Sequence, residues 1–402
     1  MDAPSPAFRW RDIAVPVFGP SLLFGIGEGA ILPVIALTAR DLGGSVSMAA
    51  LMVTLLGLGS LLSNIPAALI TTRYGERSAI VGAGLWGCLG MVMAVASPHL
   101  AAFATGIFMV GMSTSVFGLA RQNYLVELVP FGYRARALST LGGVMRIGYF
   151  IGPFLSAVAI HLAGLPAAFG VGIAAMLFAS LLAATMPDLP VASDNGVARP
   201  LQGSGLRAIA VSHRRVFLTL GIGVLLISAV RSSRQAVIPL WAEHIGIEPA
   251  AASLVYGLAG AVDMLIFYPA GHVMDRRGRA WVAVPSMLIM GIALLLMPLT
   301  VAATGLVVTA LLLGLGNGLG SGVIMTLGAD HSPPAGRAHF LGLWRLIADI
   351  GTSSGPALLA GITALVGLAA GVWATSSLAF GAAWALWHWI PRPLRDRGQA
   401  PP

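Results

Sequence analysis

Charge is scarce in this chain: 9% of its 402 residues are Asp, Glu, Lys or Arg, while 57% are hydrophobic, against roughly 25% charged in an ordinary soluble domain. Twenty-three basic and 15 acidic side chains are too few to coat a soluble protein of this length, which excludes a soluble globular enzyme and makes lipid the bulk solvent. Lysine is absent, and all 23 basic residues are arginine. Without lysine there is no Walker A loop to reach the β- and γ-phosphates and no Schiff base on pyridoxal phosphate, so the chain is not itself a P-loop ATPase. The single cysteine, Cys88, excludes an internal disulfide framework and any multi-cysteine zinc or iron–sulfur site. It lies in an apolar run and reads as an inert small residue. The eight histidines show no ligand spacing, so neither a metal nor a cofactor is expected. Gly25, Gly27 and Ala30 fit GxGxxA, but inside an apolar run rather than at a strand-to-helix turn, and no dinucleotide site is read there.

What the chain has instead is long apolar runs, about 20 residues each as a bilayer crossing requires. They fall near 13–37, 47–70, 79–97, 100–123, 137–160 and 166–186, and again near 216–240, 250–272, 280–300, 303–327, 338–360 and 368–390. The first is too long for a cleavable signal peptide and is read as a span. The last division rests only on glycines between residues 361 and 371. The expected fold is an all-α membrane protein of twelve transmembrane helices: a six-helix bundle over 1–186, a cytoplasmic linker over 187–213 and a second six-helix bundle over 214–402.

Positive loops stay cytoplasmic. With the N-terminus inside, the inner segments hold Arg9, Arg11, Arg73, Arg77, Arg134, Arg136, Arg199, Arg207, Arg214, Arg215, Arg276, Arg277, Arg279, Arg337, Arg392, Arg395 and Arg397, whereas the outer loops hold only Arg40. Arg121, Arg146, Arg231, Arg234 and Arg345 fall within spans. The net charge of +8 is therefore a topology signal, and no nucleic-acid partner is expected. Trp10, Trp281, Trp387 and Trp389 sit at the inner boundaries, where aromatic belts belong.

The two halves match at one offset of 203 residues. It carries Gly43 to Gly246, Gly57 to Gly260, Pro66 to Pro269, Arg73 to Arg276, Gly75 to Gly278, Gly111 to Gly314, Pro130 to Pro333, Arg134 to Arg337, Gly152 to Gly355 and Pro153 to Pro356. Copies running in the same direction through an even number of spans imply parallel repeats about a pseudo-two-fold axis along the membrane normal, with a site between them near the midplane.

These motifs resemble the major facilitator superfamily over nearly the whole chain. GxxxDRxGR is met in full at Gly271, Asp275, Arg276, Gly278 and Arg279, and in degraded form at Ala68, Thr72, Arg73, Gly75 and Glu76, with Arg77 following. In the fifth span Gly148, Gly152 and Pro153 are similar to the GxxxGP core of the family's antiporter motif, departing from it at Ser139, Ser156 and Ala157. The eleventh span repeats the packing motif with Gly342, Gly351, Gly355 and Pro356. In the resembled fold Asp275 faces the start of helix 5, and Glu127 and Asp330 can receive nearby arginines. Together with Arg73, Arg77, Arg276, Gly278 and Arg279 these read as a conformational latch, the plainer alternative being loop solvation alone. Gly314, Gly318 and Gly322 read as a packing stripe.

An ionisable side chain at bilayer depth is by default a functional hypothesis. Glu28 and Arg231 are repeat mates, each roughly 24 Å along its helix from the inner end at 1.5 Å per residue. Because helices 1 and 7 line the cavity in the resembled fold, they are read as an outer gate pair with Glu28 the proton carrier. A structural ion pair and other partners are the alternatives. Arg146 and Asp263 match in depth as an inter-bundle bridge. Asp349, repeat mate of Arg146 and four residues after Arg345, is either a second proton site or a local pair. Arg234, Gln235 and Asn317 are candidate substrate contacts. Arg121 resembles the family's helix 4 arginine or snorkels to the interface.

The function expected is proton-coupled export of a small organic or drug-like molecule by alternating access, from a monomer in the inner cell membrane whose partners are substrate, protons and lipid. The rival is uptake of an organic anion, motivated by Arg231 and Arg234. A non-transporting sensor or lipid-handling enzyme would need an appended soluble domain or a catalytic constellation, and neither is visible. The arginine distribution predicts that reporters fused after Pro187 and at the C-terminus are cytoplasmic and that one fused near Glu248 is external; a cytoplasmic reporter at Glu248 overturns the span assignment.

Overall fold

The computed structural model describes residues 14–96, 98–129, 133–188, 206–333 and 336–390. Trp10, Pro130, Arg9, Arg11, Arg199, Arg392, Arg395, Arg397 and most of the linker lie outside the described residues, as do the side chains of Arg134, Arg136 and Ser139. Helix α1 is built in pieces, Ala14–Phe18, Gly19–Ile31 and Ile35–Asp41, and α2 to α6 follow at Val46–Tyr74, Glu76–Ala96, Leu100–Leu128, Arg134–Ala163 and Ala167–Ala184. After a short helix at Leu206–Ser212 come α7 (Arg214–Leu218 and Leu220–His244), α8 (Pro249–Arg277), α9 (Ala280–Leu296), α10 (Ala303–Leu319 and Val323–His331), α11 (Arg337–Leu365) and α12 (Leu368–Trp389). Eleven of the described helical segments are long and apolar enough to cross a membrane. The twelfth, α11, is 29 residues long and carries Arg337, Arg345 and Asp349. The apolar stretch after it divides at Gly367, whose φ of +129° excludes a continued helix.

The helices are apolar on nearly every face, as helices sealed between lipid and protein must be. Leu62, Ile65, Leu69, Leu162, Leu181 and Leu265 face outward and are exposed in the isolated chain. The inward faces are built of Ala, Gly and Ser, which let backbones approach closely.

That approach repeats with the 203-residue offset. On α5 a Cβ at Gly152 would stand 2.6 Å from the Ile26 carbonyl oxygen of α1, and one at Gly148 would stand 2.5 Å from that of Leu22. On α11 Gly355 and Gly351 meet the carbonyls of Ala229 and Leu225 on α7 more closely still. Gly111 of α4 packs on the Leu56 carbonyl as Gly314 of α10 packs on that of Ala259. Even the lone cysteine obeys the symmetry: Cys88 of α3 donates to the Ile173 carbonyl of α6 at 3.5 Å, and Ser376 of α12 to the Gly291 carbonyl of α9 at 2.8 Å.

Two six-helix bundles result, meeting where α2 packs on α11 and α5 on α8, with α7 also touching α1 and α2. One departure from the expected helices matters for the site. Helix α10 breaks between Leu319 and Val323, with Gly322 at φ +82°. Gly314 and Gly318 of the expected stripe pack on the α8 backbone, whereas Gly322 serves the break and meets α8 only through the Met274 side chain.

Gly152→Leu and Gly355→Leu are each expected to destabilise the protein by at least about 1–3 kcal/mol, the range for overpacking. Gly142→Ala, in open space on α5, should be neutral or mildly stabilising. Thermal unfolding in detergent separates the two classes.

Candidate functional site

A cavity of about 330 Å³ opens between the bundles, reached by Glu28 of α1, Thr114 of α4, Arg146 and Tyr149 of α5, Arg234 and Gln235 of α7, and Tyr256 and Asp263 of α8. Glu28 is 3% exposed. Its carboxylate accepts hydrogen bonds from the hydroxyls of Thr114 and Tyr149, and Arg121 acts on it electrostatically from beyond ion-pair distance. No described cation lies within ion-pair distance of it. Arg121 turns inward rather than snorkelling: its guanidinium stands 5.8 Å from the Phe117 ring, with Nε and Nη1 buried and unpartnered.

The expected Glu28–Arg231 gate pair is not formed. Arg231 Nη2 donates instead to the Asn317 backbone carbonyl at 2.7 Å. Thr114 and Asn317 are themselves related by the 203-residue offset, so the two contacts are one contact made twice. Each repeat turns its ionisable side chain onto helix 4 of its own bundle, or that helix's equivalent α10. The two side chains therefore take separate partners, Glu28 doing so while it lines the cavity.

The α5–α8 interface does bring Arg146 and Asp263 together, at 3.5 Å. Arg146 also donates to Ser321, which the α10 break presents to it, and lies 4.5 Å over the Phe267 ring. Asp263 accepts from the Asn317 side-chain amide at 2.6 Å and has Arg234 at 3.9 Å. Arg234 stands 5.9 Å over the Tyr256 ring. One carboxylate thus serves two guanidinium groups and an amide, in a setting where a charge without a partner costs on the order of 3 kcal/mol at bilayer depth.

At the α2–α11 interface, Asn64 donates to Asp349 at 2.8 Å and accepts from Ser115 at 2.8 Å; Arg345 is 3.9 Å from Asp349. Asp349 therefore has both a local partner and one across the bundles. At the end bearing the α1–α2 and α7–α8 loops, Arg40 pairs with Glu243 at 2.8 Å and Arg40 Nη1 donates to the Gly44 carbonyl at 2.7 Å. Residues 30–39 and 236–242 are buried throughout, so the cavity is sealed at this end. Arg40 and Glu243 are repeat mates; the offset that suggested Glu28 with Arg231 would have found this pair, and Thr114 through Asn317. No sequence signal marked Tyr149, Asn64 or Ser321.

At the opposite end Arg279 pairs with Asp330 at 2.8 Å, and that hydrogen bond raises the guanidinium above its ordinary range. Asp275 is largely exposed, with Arg279 3.9 Å away. Glu127 receives no described arginine. It is the repeat mate of Asp330, but Arg279 is replaced in the first half by Glu76, so a second acid stands at the position from which an arginine would have paired with it. Arg77 goes instead to Asp188 at 2.6 Å, and Arg73 lies 5.5 Å from the Tyr74 ring.

A family model described as Major Facilitator Superfamily matches residues 18–267 and 220–402. Two proteins of Bacillus subtilis (strain 168) align over most of the chain. The uncharacterized MFS-type transporter YddS is 25% identical over 358 residues, 83% of this chain and 80% of that one. YdeG, described in the same terms, is 27% identical over 360 residues, 83% and 81%. Among solved structures, a bacterial homolog of the human lysosomal transporter Spinster, inward-facing and unoccupied, superposes with a TM-score of 0.78 at 15% identity, covering 96% of this chain and 100% of that one. The nucleoside transporter NupG gives 0.76 at 14% identity over 94% and 98%, and a D-xylose-proton symporter 0.74 at 15% over 95% and 98%.

Arg40→Glu places two carboxylates at the sealed end and is expected to raise maleimide labelling of a cysteine introduced at Leu32 from the α1–α2 loop side by several-fold. Adding Glu243→Arg should return labelling to the starting level. Equal labelling in all three proteins would leave the pair without a sealing role.

Proposed function

Because the chain belongs to the major facilitator superfamily, whose members are transporters and not enzymes, we propose that it is a proton-coupled secondary active transporter moving a small organic molecule by alternating access. The observation that carries this reading is Glu28, a buried carboxylate in the cavity wall whose hydrogen-bond donors come from two other helices, α4 and α5, and which has no described ion-pair partner. The proton affinity of such a group depends on whether those donors stay in place and whether water reaches it. A rearrangement of α1 against α4 and α5 therefore changes both at once, which is what coupling requires. One of the solved structures of this fold is of a proton symporter, which supports the fold's compatibility with such coupling.

The cross-bundle contacts support alternation. Arg146–Asp263 and Asn64–Asp349 join the bundles beside the cavity, while Arg40–Glu243 closes one end. Asp263 and Asp349 are the reserve proton sites, and Arg279 with Asp330 and Asp275 the latch at the other end. We place the protein in the cell membrane as a monomer with both termini cytoplasmic, its bundles spanning 1–186 and 214–402, which makes the sealed end external. The family's antiporter-like GxxxGP motif in α5 favours export of a drug-like molecule. A second reading, uptake of an organic anion, is favoured by the excess of arginine around Asp263.

In proteoliposomes Glu28→Gln is expected to abolish gradient-driven accumulation while leaving substrate exchange measurable, since exchange needs alternation but no net proton movement. Full gradient-driven transport by this variant would transfer the assignment to Asp263 or Asp349.

A further inference from the structure

Where α5, α7 and α8 meet beside the cavity there is more cation than counter-charge. Arg146 approaches Asp263 at 3.5 Å and Arg234 at 3.9 Å, longer than a close ion pair. Arg231 reaches only the Asn317 backbone carbonyl. Nε of Arg231 and both Nε and Nη1 of Arg234 are buried with no hydrogen-bond partner. Among the described residues Asp263 is the one acidic group within 4 Å of any of the three arginines. A buried charge is costly without a partner, and an intramembrane cation by default marks a substrate or ion pathway.

We propose that the missing counter-charge is the substrate: the cavity seats the carboxylate or phosphate group of a small organic anion against Arg234, with Arg146 and Arg231 reinforcing the field. This deepens the reading of the chain as a proton-coupled transporter and rests on it. A guanidinium presents a fork of donors that matches the paired oxygens of such a group. A volume of about 330 Å³ lies at the lower end of the range for organic ligands and is far larger than a halide needs. Leu32, Val53, Leu56, Phe150 and Met264 line the rest of it and fit an apolar body.

The coupling then has a sign. Glu28 lines the same cavity; Thr114 and Arg121 face it from α4 and Tyr149 from α5, while α6, also packed on α1, has no titratable residue. A proton on Glu28 removes a negative charge from the site that receives the anion, so proton and anion favour each other's binding, and by linkage to the same degree. The two cross together, which selects anion uptake over drug export.

The test uses the full chain in detergent with benzoate and phenyl phosphate as probes, benzyl alcohol and benzylamine as neutral and cationic counterparts, and chloride as the inorganic control. Either organic anion is expected to raise the unfolding temperature by several degrees while the counterparts do not. Arg234→Met should abolish that shift and raise the unfolding temperature of the ligand-free protein, because it removes a cation whose one acidic neighbour, Asp263, stands 3.9 Å away and is shared with Arg146, while keeping the volume. A lower ligand-free value for Arg234→Met, equal shifts from the neutral or cationic compounds, or no anion-specific shift at all would overturn the proposal. So would chloride alone reproducing the whole effect, which would assign the site to a halide. Benzoate affinity should fall as pH rises in the unaltered protein and lose that dependence in Glu28→Gln. If the dependence persists while the shift still requires Arg234, the anion seat stands and Glu28 fails as the carrier, so the two readings fail separately.

Discussion

The close approach of α1 to α5, and of α7 to α11, governs where the functional side chains point. Gly148 and Gly152 let the α1 backbone in so far that a Cβ would strike its carbonyls, and Gly351 and Gly355 do the same for α7. With little hydrophobic force between helices in lipid, such backbone packing is a principal source of association. It also sets rotation. Once α1 and α7 are seated on their partners, Glu28 lies beside Thr114 and Tyr149, and Arg231 beside Asn317.

Inside the bundles the packing is small and tight, whereas polar and charged groups collect at the seam between them. Asn64 with Asp349, Arg146 with Asp263, and Arg40 with Glu243 are all contacts between halves. Such contacts can be exchanged as one body moves against the other without unpacking either, which a transporter that alternates between states requires. The bundle interiors, by contrast, hold backbone contacts too close to be remade.

The repeat preserves geometry and varies chemistry. Glu28 is answered by Arg231, Arg146 by Asp349, and Arg40 by Glu243, so equivalent positions carry opposite charge. The Arg40–Glu243 pair closes between the halves because its members are opposite in sign, and the cavity carries Glu28 on α1 and Arg234 on α7, with Arg146 of α5 and Asp263 of α8 paired beside them. At the other end the substitution works against pairing. Glu76 stands where the second half has Arg279, and Glu127 where it has Asp330, so one bundle has an ion pair and the other has two acids at the equivalent positions.

The chain by itself determined its solvent, its span count, its repeat and its family. Each depends on composition or spacing along the chain: twenty apolar residues cross a bilayer whatever their neighbours, and a constant offset survives without knowledge of contacts. It also marked the ionisable residues at depth, since any charge in an apolar run is conspicuous. Partner choice was decided by the tertiary structure. Depth along a helix follows from 1.5 Å per residue, but the direction of a side chain depends on helix rotation, which the glycine contacts settle through space. That is why Arg146 and Asp263, on helices that pack across the bundles, meet as their depth suggested, while Glu28 and Arg231 do not. The break at Gly322 that turns Ser321 toward Arg146, and the use of Tyr149 and Asn64, were likewise invisible in one dimension, because an uncharged hydroxyl or amide in a span becomes distinctive only through the group it faces.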